Sequence, residues 1–139
     1  MSLTEVKQFL DEHDTCVLAT VNADGKPQSA TVGFSIDENW GILIGTNKNT
    51  RKYKNLQQNP SVALTVGVVG SKTVQYEGIA KELAVEELGA RLEEHFSKVP
   101  ASKKFLDDKG QRYFLITPTW LRFTDYTAPE PIFETKDFA

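Results

Sequence analysis

Cys16-Val-Leu-Ala-Thr-Val21, Asn22-Ala-Asp-Gly25 and Pro27-Gln-Ser-Ala-Thr-Val-Gly-Phe-Ser-Ile36 follow one another closely. Two β-prone runs joined by an Asp-Gly turn must run antiparallel, because a parallel return needs a crossover of about a dozen residues or more. Upstream, Thr4 to Asp14 reads as a short helix capped by Thr4, with Val6, Phe9 and Leu10 on one face. Downstream, Asp37-Glu-Asn39 turns the chain into a third strand, Trp40-Gly-Ile-Leu-Ile-Gly45. Thr50 to Gln58 reads as a helix stopped by Asn59-Pro60. Val62–Val66 and Thr73–Leu83 read as strands around a turn at Gly67–Ser71. Glu86 to Phe96 has Leu88, Leu92 and Phe96 at helical spacing, and Ser102 to Asp108 reads as a short second helix. Tyr113–Thr117 and Trp120–Tyr126 are closing strands split by Pro118. Most of the seven strands are joined by short turns. The expected fold is mainly β: an antiparallel barrel with three to four peripheral helices. Residues 1–139 form one domain in this reading. Thr127-Ala-Pro-Glu-Pro131 begins an irregular tail, 127–139, whose Ile132, Phe133 and Phe138 dock on something apolar.

The 139 residues include 2 Trp, 4 Tyr and 8 Phe, enough for one real core. A net charge of −3 argues against a nucleic-acid coat or an anionic-membrane binder. The single Cys16 leaves no internal disulfide and no multi-cysteine metal site, and no metal is expected. The N-terminus has no basic region followed by an apolar run, and no apolar run is long enough to span a bilayer. A soluble protein of a reducing compartment, the cytoplasm, is expected.

The charge is unevenly placed. Residues 1–38 carry 7 acids and 2 bases, whereas residues 39–76 carry no acid and 5 bases, Lys48, Arg51, Lys52, Lys54 and Lys72. A cationic island in an acidic chain points to a specific anion site.

Gly67-Val-Val-Gly-Ser-Lys-Thr73 resembles a P-loop only superficially, since its spacing is wrong and a strand pattern follows. His13 and His95 have no evident Ser or Cys partner, which leaves a nucleophilic triad unsupported. Cys16 reads as a buried small hydrophobe. Acids pair on helices at Glu86-Glu87 and Glu93-Glu94, where solvation explains them.

The informative stretch is Gly45-Thr-Asn-Lys-Asn-Thr-Arg-Lys-Tyr-Lys-Asn-Leu-Gln-Gln-Asn-Pro60. It leaves a strand, offers Thr46, Asn47 and Thr50 as hydrogen-bonding side chains, and opens a helix at Arg51-Lys52. A helix N-terminus presents free N–H groups and a positive dipole end. With Thr50 as cap, Arg51 as fork donor and Lys52 as point charge, it makes a phosphate cradle. The plain alternative is a capped helix with a solvated basic turn. Cations there oppose the dipole by about 0.3–1 kcal/mol each, a conflict that a bound anion removes.

These blocks resemble the pyridoxamine 5′-phosphate oxidase-like group of FMN-binding split barrels over roughly residues 3–126. The resemblance rests on Val17-Leu-Ala-Thr-Val with Asp24-Gly-Lys-Pro27, and on Thr46-Asn-x-x-Thr-Arg-Lys with Asn-Leu-x-x-Asn-Pro60. It implies a six- to seven-stranded split barrel of Greek-key type. It also implies that Thr50, Arg51 and Lys52 hold the FMN phosphate, with Thr46 beside the ribityl chain or ring and Asn47 a further cofactor-binding residue. Gln28, Ser29, Ala30, Thr31 and Val32 would lie along the isoalloxazine edge, and Thr73 and Gln75 would reach its polar side. The family implies a homodimer with flavin at the subunit interface. Trp120 and Arg122 share one face of a strand, opposite Leu121 and Phe123. They form either a surface cation–π pair or a contact to the partner's flavin.

The sequence also departs from the family. The oxidase proper ends in an Arg- and His-containing motif for the vitamin phosphate, and Phe123-Thr-Asp-Tyr-Thr-Ala-Pro-Glu130 contains none. The expectation is therefore an FMN-dependent oxidoreductase or reductase acting on a small planar substrate, not the vitamin B6 oxidase. A deazaflavin cofactor and a non-catalytic flavin-binding protein for storage, sensing or electron carriage remain the alternatives, and a barrel for another phosphorylated ligand is a more distant one.

Overall fold

The computed structural model describes residues 2–138. Helix α1 (Leu3–Asp11) leads into β1 (Thr15–Val21), β2 (Pro27–Gly33), a two-residue β3 (Ser35–Ile36) and β4 (Ile42–Asn47). Helix α2 (Arg51–Gln58) precedes β5 (Ser61–Val66) and β6 (Lys72–Leu83). Two short helices, α3 (Val85–Leu88) and α4 (Ala90–Lys98), and a 3-10 turn at Pro100–Phe105 come before β7 (Gln111–Asp125) and β8 (Ile132–Asp137).

Every strand pair is antiparallel, as the short turns require. The order along the sheet is β2-β1-β5-β6-β7-β4-β3, with β8 also on β7. β7 organises this order. One edge pairs with β6 over its whole length, while the other is shared by β4 in its first half and β8 in its second. The sheet curls so that β2 and β4 approach each other, giving a half-barrel with helices around it.

The core fills the inside of the curl. Leu18, Phe34, Ile42, Ile44, Phe114, Ile116 and Leu121 meet Val6 and Leu10 of α1 there. A second cluster, Leu43, Leu88, Leu92, Phe96 and Tyr113, lies where α3 and α4 cover the outside of β4 and β7. β4 is thus buried on both faces, which explains the unbroken apolar run Ile42-Leu-Ile44. Among the described residues no helix is long and apolar enough to cross a membrane.

Six local expectations are corrected. The tail is not irregular throughout, because Ile132–Asp137 is β8, paired from Trp120↔Asp137 to Asp125↔Ile132. Only part of it docks: Phe138 packs on Trp40 at 6.2 Å, whereas Ile132 and Phe133 stay exposed. Pro118 does not split the last strand; it sits opposite Gly78, where the β6–β7 register shifts, and a bulge there tolerates its missing N–H. The helix expected at Glu86–Phe96 breaks at Gly89, whose φ of 55° lies in the left-handed region. α1 is capped by Ser2, not Thr4, through a capping box with Glu5. The helix expected at Ser102–Asp108 is the 3-10 turn at Pro100–Phe105.

Candidate functional site

A cleft of about 220 Å³ opens between the N-terminus of α2 and the edge of β2. Thr20, Gln28, Ser29, Ala30, Thr50, Arg51, Lys52 and Asn55 line it. Among the described residues no carboxylate, histidine or thiol does so. Three elements converge here because α2 must return the chain from β4 to β5, which lies beside β1.

Thr50 caps α2 with extended backbone, and its hydroxyl accepts the Tyr53 N–H at 3.3 Å. The same hydroxyl donates to the Asn47 carbonyl at 2.9 Å. A hydroxyl has one proton, so at the 2.9 Å contact between Thr46 Oγ1 and Thr50 Oγ1 the donor is Thr46. The Thr50 hydroxyl is therefore saturated, and the capped turn presents its backbone N–H groups to the cleft instead. Asn47 is occupied as well: its Oδ1 accepts from Asn49 N at 2.9 Å, and its Nδ2 donates to Asp108 at 3.2 Å.

The cleft is electropositive. The first turn of α2 holds no acid, and among the described residues neither Arg51 nor Lys52 pairs with a carboxylate. Arg51 is exposed, while Lys52 is half-buried and burial holds its ammonium below the ordinary lysine range. Two cations, free N–H groups and a helix dipole suit a phosphate ester.

The residues singled out in the sequence fall into groups. Gln28, Ser29, Ala30, Thr50, Arg51 and Lys52 meet in the cleft, while Thr46 and Asn47 brace the turn behind it. Val32 is in the core. Thr31, Thr73, Gln75, Trp120 and Arg122 do not line the cleft. Register places Thr31, Val17, Thr65, Gln75, Arg122 and Thr135 in one row across six strands. Beside it run Ser29, Ala19, Ala63, Glu77, Trp120 and Asp137. Both rows lie on the sheet face away from the core. Thr73 donates to the Val66 carbonyl at 3.1 Å. Arg122 lies 5.3 Å from the Trp120 ring and 5.5 Å from Phe133, and it donates to Thr135.

Thr20 and Asn55 were not legible as cleft residues. Their one signal is polarity at inward positions: Thr20 continues the buried phase of Cys16 and Leu18, and Asn55 precedes buried Leu56. The expectation for His95 is also corrected. Ser35 Oγ lies 2.7 Å from His95 Nδ1 across 60 residues of sequence, joined by the packing of α4 against β3. Ser35 is 8 % and His95 1 % exposed, so the pair is sealed in the fold. Burial, aided by the charge of Lys98, pushes the His95 imidazole down to about 4. Cys16 is buried as expected, and its thiol is pushed up to about 12.

A sequence profile described as Pyridoxamine 5′-phosphate oxidase matches residues 2–125. A "Pyridoxine/pyridoxamine 5′-phosphate oxidase" from Ehrlichia chaffeensis is 29 % identical over 126 residues, covering 83 % of this chain and 61 % of that protein. The chain thus spans under two thirds of that relative's length. Among solved structures, a heme binding protein from Mycobacterium smegmatis superposes with a TM-score of 0.83 at 16 % identity, covering 99 % of this chain and 58 % of that one. HutZ, the heme storage protein from Vibrio cholerae, superposes at 0.68 with 21 % identity, covering 83 % and 88 %. These structural likenesses concern the fold. Because the profile spans both the strand framework and the whole Thr46–Pro60 segment that builds the cleft, the chain belongs to the pyridoxamine 5′-phosphate oxidase family.

Proposed function

We propose that the chain binds FMN with its phosphate in the Arg51–Lys52 cleft and works as a flavin-dependent oxidoreductase on a small planar substrate. One observation carries this reading: two cations without carboxylate partners at the N-terminus of α2, in a cleft lined by hydrogen-bond donors and no acid. The flavin, when bound, supplies hydride or electron transfer. The chain's own residues bind and orient it. A substrate other than a vitamin phosphate is favoured here because residues 123–130 carry no Arg-His pair.

Purified protein is expected to be yellow and to release FMN on denaturation, identified by mass. A released deazaflavin would replace FMN in this reading, and a protein with no flavin or deazaflavin would defeat it. Anaerobic addition of reduced nicotinamide cofactors is expected to bleach the flavin, while pyridoxamine 5′-phosphate under air yields no pyridoxal phosphate at enzymatic rates. A second reading, a carrier or store of flavin, is favoured by the lack of a carboxylate, histidine or thiol among the described residues lining the cleft. The two structural neighbours are named for binding and storing heme, so holding a ligand is among the uses of this fold. Flavin that stays oxidised with every donor supports that reading over the first.

Assembly follows from the open sheet face. Val68 and Val69 are 68 % and 88 % exposed at its rim, Ile79 is exposed, and hollows of about 240 and 380 Å³ lie along it. A homodimer covering this face would bring Gln75, Trp120 and Arg122 toward the partner's cofactor. Light scattering of the holo-protein at micromolar concentration is expected to give a dimer, and a flavin-loaded monomer would contradict this. A reducing compartment such as the cytoplasm suits a chain whose one thiol is buried.

A further inference from the structure

We propose that Asn55 is a positioning residue that fixes the amide of Gln28 with its nitrogen toward the cleft, making Gln28 a donor that selects for an acceptor oxygen beside the phosphate. This rests on the cleft being the site of a phosphorylated ligand.

Asn55 is 4 % exposed and lies one helical turn after Arg51. Its Nδ2 donates to Thr20 Oγ1 at 2.9 Å and to Gln28 Oε1 at 2.9 Å. An amide nitrogen has two protons, and both are engaged. The first bond ties α2 to β1 and the second ties it to β2, so one side chain sets the separation of the cleft walls. The second bond also decides polarity. With Oε1 of Gln28 accepting from Asn55, the carboxamide cannot flip without facing one N–H group against another. Its Nε2 is left with two protons for the cleft. Gln28 thereby joins Arg51 and Lys52 as a donor, and a ligand presenting a donor at that point would leave both groups unpaired and bind less tightly. The group that fits is an oxygen acceptor: a phosphate-ester oxygen or a hydroxyl of the adjoining polyol.

A double-mutant cycle on FMN affinity tests this, with thermal midpoints recorded for each variant. Gln28→Met is expected to weaken FMN binding about tenfold in the wild-type background. In the Asn55→Leu background the same change is expected to alter affinity less than twofold, because an unanchored Gln28 already fails to present its donors. A purely architectural Asn55 would give additive losses, and additivity overturns the proposal. Asn55→Asp, which offers acceptors where Asn55 donates, provides an independent check. Wild-type affinity in that variant would mean that Thr20 and Gln28 are the donors, and would overturn it too. Should the Asn55 variants not fold, the wild-type protein still decides. The side-chain amide NMR signals of Gln28 are expected to shift on FMN addition and those of Asn55 to keep slow exchange, whereas unmoved Gln28 signals overturn the assignment. A wild-type protein with no FMN affinity defeats the functional reading itself; bound FMN with an additive cycle defeats only the role of Asn55.

Discussion

Replacing Arg51 and Lys52 together with alanine is expected to give a folded, colourless protein. Arg51 is exposed and pairs with no carboxylate among the described residues, so the apo fold draws little stability from it. Its planar fork can make two charge-assisted bonds to a phosphate, and Arg51→Ala alone is expected to weaken FMN binding by about 1.5–3 kcal/mol, roughly ten- to 150-fold. Lys52 contributes a point charge from a partly desolvated position, and Lys52→Ala is expected to cost less. The pair opposes the dipole of its own helix, so removing both relieves a conflict in the apo protein while abolishing the proposed anion site. Fluorescence titration of FMN against the four proteins, beside their thermal midpoints, separates the two effects. Unchanged FMN affinity in the double variant would remove the phosphate assignment.

The capped, acid-free start of α2 was legible because local chemistry makes it. A capping threonine, two cations and no acid lie within consecutive residues of one helix start, and helix rules act over that range. The strand framework was legible for a similar reason, since tight turns at Asn22–Gly25 and Gly67–Ser71 fix antiparallel neighbours. What the sequence hid is whatever depends on distant partners. Asn55 meets Thr20 and Gln28 across 35 and 27 residues, and no periodicity announces such a bond. Ser35 and His95 meet only because α4 packs against β3. β8 was unreadable for another reason: Ile132-Phe-Glu-Thr-Lys-Asp137 alternates weakly and both its faces stay largely open. Pairing with the free half of β7 makes it a strand. Pro118 misled in the opposite direction, since proline ends a strand by default but survives at a bulge.

The sealed His95 is expected to make the fold acid-sensitive. Its ring accepts or donates one hydrogen bond to Ser35 at 2.7 Å, and it is 1 % exposed. Burial first, and then the neighbouring Lys98 ammonium, hold it neutral down to about pH 4. In the unfolded chain the same group takes up a proton near pH 6.5. Between those values the unfolded state binds more protons than the folded state, so stability rises with pH and is lost as the solution is acidified. For one group shifted this far, the loss between pH 7.5 and 4.5 is on the order of 2–3 kcal/mol. His95→Gln keeps an acceptor for Ser35 but cannot titrate. It is expected to be less stable at pH 7.5, because the imidazole packing is lost, yet to lose less on acidification than the wild type by about that amount. Urea unfolding of both proteins across the interval reads the difference directly, and the carboxylates common to both cancel in the comparison. Parallel pH profiles would show that His95 takes its proton inside the fold. The Ser35 contact would then be one that a charged imidazole keeps, with Nδ1 donating to the hydroxyl in both states.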